Sequence, residues 1–132
     1  MERLNDSLNA ARKALRTFAE LVADPHPSVE RRDATIKRFE YTVEALWKAA
    51  QRLLADKEGR PAGSPKAAVR MCRESGFLSE EDAEMALAMI DDRNLTAHTY
   101  NEPLAVQIAA KLASYAALAE RWLTALERRA QS

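Results

Sequence analysis

With one cysteine, Cys72, the chain cannot close an internal disulfide. A reduced, cytoplasmic setting is therefore expected, with Cys72 as a small buried residue rather than a catalytic thiol. Histidine is almost as scarce: His26 and His98 are the two present. No HExxH, no CxxC and no histidine pair at helical spacing occurs, so no metal site is expected. Three glycines are too few for a glycine-rich phosphate loop, and no nucleophile elbow is present. Nothing here calls for a cofactor. No run reaches the ~18 apolar residues that mark a membrane helix. The opening MERLNDSLNAARK also lacks the apolar centre of an export signal. A soluble protein with no membrane contact is expected.

What remains is helix-forming material. Apolar residues make up 47% of the 132 positions while aromatics make up 6%, and only five prolines interrupt the chain. That profile predicts an all-α fold, a single domain over 1–132 built as a four- to five-helix up-and-down bundle. Charge is balanced overall but unevenly placed. Residues 1–75 carry a net +4, and residues 76–102 a net −6. A basic face is compatible with this split, but net charge by itself neither demands nor excludes nucleic acid.

Periodicity sets the helices. Leu4, Leu8, Ala11, Leu15, Phe18 and Val22 recur at steps of three and four, predicting a helix over 3–23 that stops at the prolines of DPHPS. Ser28 can cap a second, long helix carrying Val29, Ile36, Phe39, Val43, Leu46, Trp47, Ala50, Leu53 and Leu54, with Gly59 as its stop. Ser64 and Pro65 open a short helix, 66–75, closed by Gly76. Ser79 is the next cap, with Asp82 in the capping-box position and Leu78 placed to staple the first turns. Asn101-Glu-Pro then looks like the start of one last helix, whose face runs Leu104, Ile108, Leu112, Tyr115, Leu118, Trp122, Leu123 and Leu126.

The joint before that last helix, DDRNLTAHTYNE, gathers Arg93, Asn94, His98, Tyr100 and Asn101. Arg93 and His98 are five residues apart, about 140° of rotation on an unbroken helix at ~100° per residue, so they would not face one pocket. Either the helix breaks near Thr96–Thr99, or a twofold dimer pools two copies of the motif in one cleft. In such a cleft histidine, with an ordinary pKa of ~6.5, can take a 2′-OH proton or return one to a leaving 5′-oxygen. Arginine can hold the charge of a phosphorane, Asn94 can orient phosphate or imidazole, and Tyr100 offers a hydroxyl. The plainer reading stays open from spacing alone. Arg93 would pair with Asp91, Asp92 or Glu102, and His98 and Asn101 would cap helices.

A second cluster lies in RRDATIKRFEYTVEALWK, residues 31–48, where Glu40, Glu44 and Lys48 follow one another at four-residue steps. Either they form a solvated, salt-bridged face, or they line the same cleft as Arg93 and His98. This block, then SPKAAVRMCRESGFL, then MIDDRNLTAHTYNE, resemble the HEPN family. They look nearest to its branch named as nucleotidyltransferase substrate-binding proteins, from about Arg31 to Glu102. The family pattern R-x4-H-x-Y falls on Arg93, His98 and Tyr100. The resemblance implies a helical bundle dimerising around the motif helices. In toxin members, the Arg and His carry metal-independent RNA cleavage. A cognate minimal nucleotidyltransferase acts there as antitoxin, transferring AMP to the motif Tyr, here Tyr100. The branch name implies a different role, a non-catalytic subunit that presents a nucleotide or other substrate to the transferase.

Overall fold

A computed structural model describes residues 2–24 and 28–132. Pro25, His26 and Pro27 lie outside the described residues, but the first helix ends at Val22, just ahead of DPHPS and one residue short of the expected 23. Six α-helices follow in order: α1 (Glu2–Val22), α2 (Val29–Glu58), α3 (Pro65–Glu74), α4 (Glu80–Leu95), α5 (Glu102–Ala109) and α6 (Leu112–Gln131). A 3-10 turn, Thr96–His98, separates α4 from α5.

The caps expected from sequence are in place. Ser28, Ser64, Ser79 and Asn101 each accept a hydrogen bond from the backbone N–H three residues on, satisfying donors that a helix start leaves without intrahelical partners. Gly59 ends α2 in the left-handed region at φ 63°, which allows Arg60 N–H to reach back to Leu54 O at 2.9 Å. The capping box at Ser79 is half formed. Ser79 Oγ accepts from Asp82 N–H at 3.0 Å, but the Asp82 carboxylate turns outward and takes two 2.9 Å bonds from Arg121 on α6.

That pair has a pH signature. The hydrogen bond and charge of Arg121, opposed by partial burial, hold the Asp82 carboxyl below its ordinary value of 3.8. A depressed folded-state pKa stabilises the fold above the ordinary carboxylate range, and that stability is lost as pH falls through the folded value. Arg121→Gln should therefore cost about 0.5–1 kcal/mol at neutral pH, since the Arg121 side chain is half exposed. Urea titrations should show the gap from wild type closing below the ordinary Asp value. No gap at neutral pH would mean the pair contributes nothing, and a gap that stays constant down to strong acid would mean the loss does not come from the ionised pair.

Cross-links between helices give the order of the bundle. Arg32 near the start of α2 binds Glu102 at the start of α5, and Arg129 near the end of α6 binds Glu58 at the end of α2 at 3.1 Å. With Phe39 of α2 stacked on Tyr115 of α6, α2 runs parallel to α6, and the start of α5 sits against the start of α2. Asp82 meets Arg121 while Asp92 meets Lys111, so α4 runs antiparallel to α6. Arg12 ties α1 to Glu120 and Glu127 on α6. After α2, the loop folds back along it, with Gln51 Nε2 donating to Ala62 O at 2.7 Å, before the short α3 begins. The long helices thus alternate in direction, with α2 packed against every other helix. One continuous core runs through all of them, centred on Phe18, Phe39, Leu46, Leu53, Leu118 and Trp122.

One expectation is corrected. The last helix is two helices, broken at Ala110–Lys111, where Lys111 N–H bonds Ile108 O at 3.0 Å, three residues back instead of four. No proline or glycine marks the break. It coincides with a tertiary bond, Lys111 Nζ to Asp92 at 2.9 Å, which local sequence cannot reveal. Trp47, expected in the core, is only partly buried.

Candidate functional site

The end of α4 shapes the site. Arg93 lies in its last turn. Its carbonyl accepts both the Thr96 N–H and the Thr96 hydroxyl, the latter at 2.6 Å. Two acceptances three residues on tighten the helix into the 3-10 turn. Asn101 N–H then bonds His98 O at 3.0 Å and Asn101 caps α5. The helix break near Thr96–Thr99, one of the two sequence alternatives, is therefore present, and Arg93 and His98 do not share a continuous helix.

Arg93 is directed at α2. Its Nη2 donates to Glu44 Oε2 at 3.3 Å, and the same oxygen accepts Trp47 Nε1–H at 3.2 Å. Lys48 Nζ lies 3.1 Å from the other carboxylate oxygen. Burial alone would raise the Glu44 pKa. The hydrogen bonds from Lys48 and Trp47, with the charges of Lys48 and Arg93, outweigh it and hold the carboxyl below the usual range. Glu44 thus stays anionic at neutral pH and serves better as an orienting acceptor than as a proton carrier. The acidic partners first considered for Arg93 are engaged elsewhere: Asp91 with Lys66, Asp92 with Lys111, and Glu102 with Arg32. Among the described residues, the buried Arg93 Nε has no hydrogen-bond partner.

The other motif residues face outward. Asn94 and His98 are exposed, and Tyr100 is 85% exposed. The His98 and Tyr100 rings meet edge to face with centroids 5.9 Å apart. Among the described residues, no hydrogen bond joins Arg93 to His98. The fold therefore brings Arg93, Glu44 and Lys48 together in one network and His98 and Tyr100 together in another, one short turn away. Glu40 joins neither; it pairs with Lys37 at 3.2 Å.

Sequence reasoning missed the group behind Arg93. Asp92 is buried, and one of its oxygens accepts from Lys111 Nζ at 2.9 Å and from Tyr115 OH at 2.5 Å. Burial first, then the Asp92 hydrogen bond and charge, push the Tyr115 pKa upward, so the phenol keeps its proton. A signal was available: Asp92 falls three residues after Met89 on the apolar face of α4, and a carboxylate there needs internal donors. Cys72 is fully buried, and burial pushes its thiol up to about 11. Among the described residues, the buried Trp122 indole N–H finds no hydrogen-bond acceptor. A thiol so placed is inert at neutral pH. Among the described residues, no cluster of three or more His, Cys, Asp or Glu is placed to hold a metal ion, and no helix is long and apolar enough to cross a membrane.

Comparison with known proteins adds to this geometry. Residues 3–128 match the family described as nucleotidyltransferase substrate binding protein like. A crystal structure of a Thermus thermophilus protein is 53% identical, covers 88% of this chain and 98% of its own, and superposes with a TM-score of 0.85. A Haemophilus influenzae protein, described as showing the fold of a substrate binding domain of a nucleotidyltransferase, is 22% identical over 91% of this chain and 98% of its own (TM-score 0.77). A mutant of the toxin–antitoxin pair MntA-HpeT is 11% identical over 97% and 99% (TM-score 0.79). At those two identities the likeness is one of fold. No curated protein matches. A match over nearly the whole chain, together with a relative at more than half identity, makes this chain a member of the nucleotidyltransferase substrate-binding protein-like family.

Proposed function

We propose that this chain, one domain over residues 1–132, is the toxin of a toxin–antitoxin pair. It acts as a homodimeric, metal-independent endoribonuclease in the cytoplasm, and a cognate minimal nucleotidyltransferase silences it by AMP transfer to Tyr100. The observation that carries this reading is the exposure of His98 and Tyr100 side by side, just past the end of the helix that holds Arg93. Neither ring stabilises the core, and both are open to a substrate or a partner.

The chemistry follows from the groups. His98 accepts the proton of a ribose 2′-OH as that oxygen attacks the adjacent phosphorus. The P–O5′ bond breaks, a 2′,3′-cyclic phosphate forms, and the 5′-oxygen leaves as a hydroxyl once protonated. Arg93 holds the negative charge of the phosphorane, with Asn94 orienting the phosphate. A homodimer would supply the second imidazole. Attack of the Tyr100 phenol oxygen on the α-phosphorus of ATP would release pyrophosphate and leave a bulky anion beside His98. That group would exclude RNA phosphate by charge and volume.

One observation favours the other reading, a non-catalytic subunit that presents a nucleotide or other substrate to the transferase. The Arg93 guanidinium is already bound to Glu44, so its charge is partly neutralised before any phosphate arrives. The deciding experiment is EDTA-treated protein with a tRNA pool, after intact mass has shown Tyr100 free of AMP. Cleavage supports the toxin. Intact RNA together with saturable nucleotide binding would replace it with the subunit.

A further inference from the structure

The outer face of α2 carries a second feature next to Arg93. Lys37, Tyr41, Glu44 and Lys48 succeed one another at steps of four, three and four, so they form one stripe. Tyr41 is 50% exposed, an unusual position for an aromatic ring in a chain with so few. Two cations stand over it: Lys37 Nζ is 5.3 Å and Arg38 Cζ 5.8 Å from the ring centroid. Arg38 forms no ion pair among the described residues. Tyr41, Glu44 and Lys48 share a surface groove of about 330 Å³ between α1 and α2. Glu44, in the wall of that groove, is the residue that binds Arg93.

A half-open aromatic ring beside two exposed cations, of which Lys37 also pairs with Glu40, has the elements of a single-strand nucleic-acid contact. The ring takes a base by stacking, and the cations take the phosphates on either side. Ser7, Ala10 and Ala45 also line the groove, but the two groups placed at the ring itself, Lys37 and Arg38, are cations, which suits a phosphate-bearing strand better than an apolar peptide. Duplex RNA offers no free base face to stack. We propose that Tyr41, with Lys37 and Arg38, is a stacking platform that binds one unpaired base of a single-stranded RNA and delivers the adjoining backbone toward Arg93. The platform deepens the ribonuclease reading and rests on it for the purpose of the contact. It makes Tyr41 a substrate-positioning residue, remote from the reacting atoms.

Its test separates the two ideas. Binding of a short fluorescein-labelled single-stranded RNA, and of the same sequence as a duplex, is followed by anisotropy in a His98→Ala background that cannot cleave. Tyr41→Ala should weaken single-strand binding about 10-fold or more, Tyr41→Phe should stay within about twofold, and duplex binding should not change. In the cleavage-competent protein, Tyr41→Ala should raise KM and leave kcat nearly intact. Circular dichroism controls for folding, which a half-exposed ring should hardly affect. Equal affinity of Tyr41→Ala and its parent for the single strand, or no single-strand binding at all, overturns the platform. If cleavage proceeds in that case, the ribonuclease reading survives. Tyr41-dependent binding by a protein that cuts nothing keeps the platform and removes the ribonuclease.

Discussion

His98→Ala will lose RNA cleavage by about 10²–10⁴-fold, the usual worth of a positioned general acid or base, and will melt almost where the wild type does. The second half of that expectation follows from the structure. The His98 ring is exposed and meets the exposed Tyr100 ring edge to face, and its backbone carbonyl bond to Asn101 N–H does not depend on the side chain. Exposed substitutions of this kind stay within about 0.5 kcal/mol. The contrast is Arg93→Ala. It should also abolish cleavage, but it strips Glu44 of a cationic partner while Lys48 and Trp47 remain, so a modest loss of stability should accompany it. The pair of variants therefore separates chemistry from scaffolding. Cleavage of tRNA in EDTA is read beside thermal melts and size-exclusion profiles. A His98→Ala protein that is folded, dimeric and still cuts at the wild-type rate would sink the assignment. One that falls apart into monomers would show His98 to be interface glue.

How much of this was legible beforehand depended on whether the signal was local. Helix starts were, because Ser28, Ser64, Ser79 and Asn101 act on backbone donors three residues away. The stripe from Leu4 to Phe18 was, because a 3.6-residue period needs no knowledge of partners. The break near Thr96 was visible as one of two alternatives, because Arg93 and His98 would lie about 140° apart on an unbroken helix; the Thr96 hydroxyl on the Arg93 carbonyl accounts for it. What sequence could not place was anything decided across the bundle. Glu44 is the partner of Arg93 from 49 positions away, where spacing left a shared cleft and a solvated face as open alternatives. Asp82 leaves its capping role for Arg121 on another helix. The split between α5 and α6 follows no local breaker and sits where Lys111 reaches Asp92. The motif itself was readable as a set of residue types, but the direction in which Arg93 points was not. That direction is what separates a poised phosphate clamp from one that must first leave a carboxylate.

Phe39→Ala will cost the fold about 3–5 kcal/mol, the range for removing a fully buried aromatic. Phe39 has no exposed surface. Its ring lies 5.9 Å from Phe18 on α1 and stacks 5.5 Å from Tyr115 on α6, at an interplanar angle of 14°, so one side chain of α2 joins three helices. Truncation would leave a cavity that three separate helices would have to close together, which places the cost toward the upper end. In urea, the midpoint should fall with the slope unchanged, because the surface exposed on unfolding is nearly the same. The consequence should reach the motif. Tyr115, freed on one face, is the residue whose hydroxyl binds Asp92, and Asp92 directly precedes Arg93. Tyr115→Phe tests that link without the cavity. It keeps the stack on Phe39 and removes the phenol donor to a buried carboxylate, leaving Lys111 as its remaining partner. A loss of cleavage in Tyr115→Phe that exceeds its loss of stability would show that the core holds Arg93 in register through Asp92. A Phe39→Ala protein less than about 1 kcal/mol weaker than wild type would contradict the packing itself, since no buried ring of this size is removed with so small a loss.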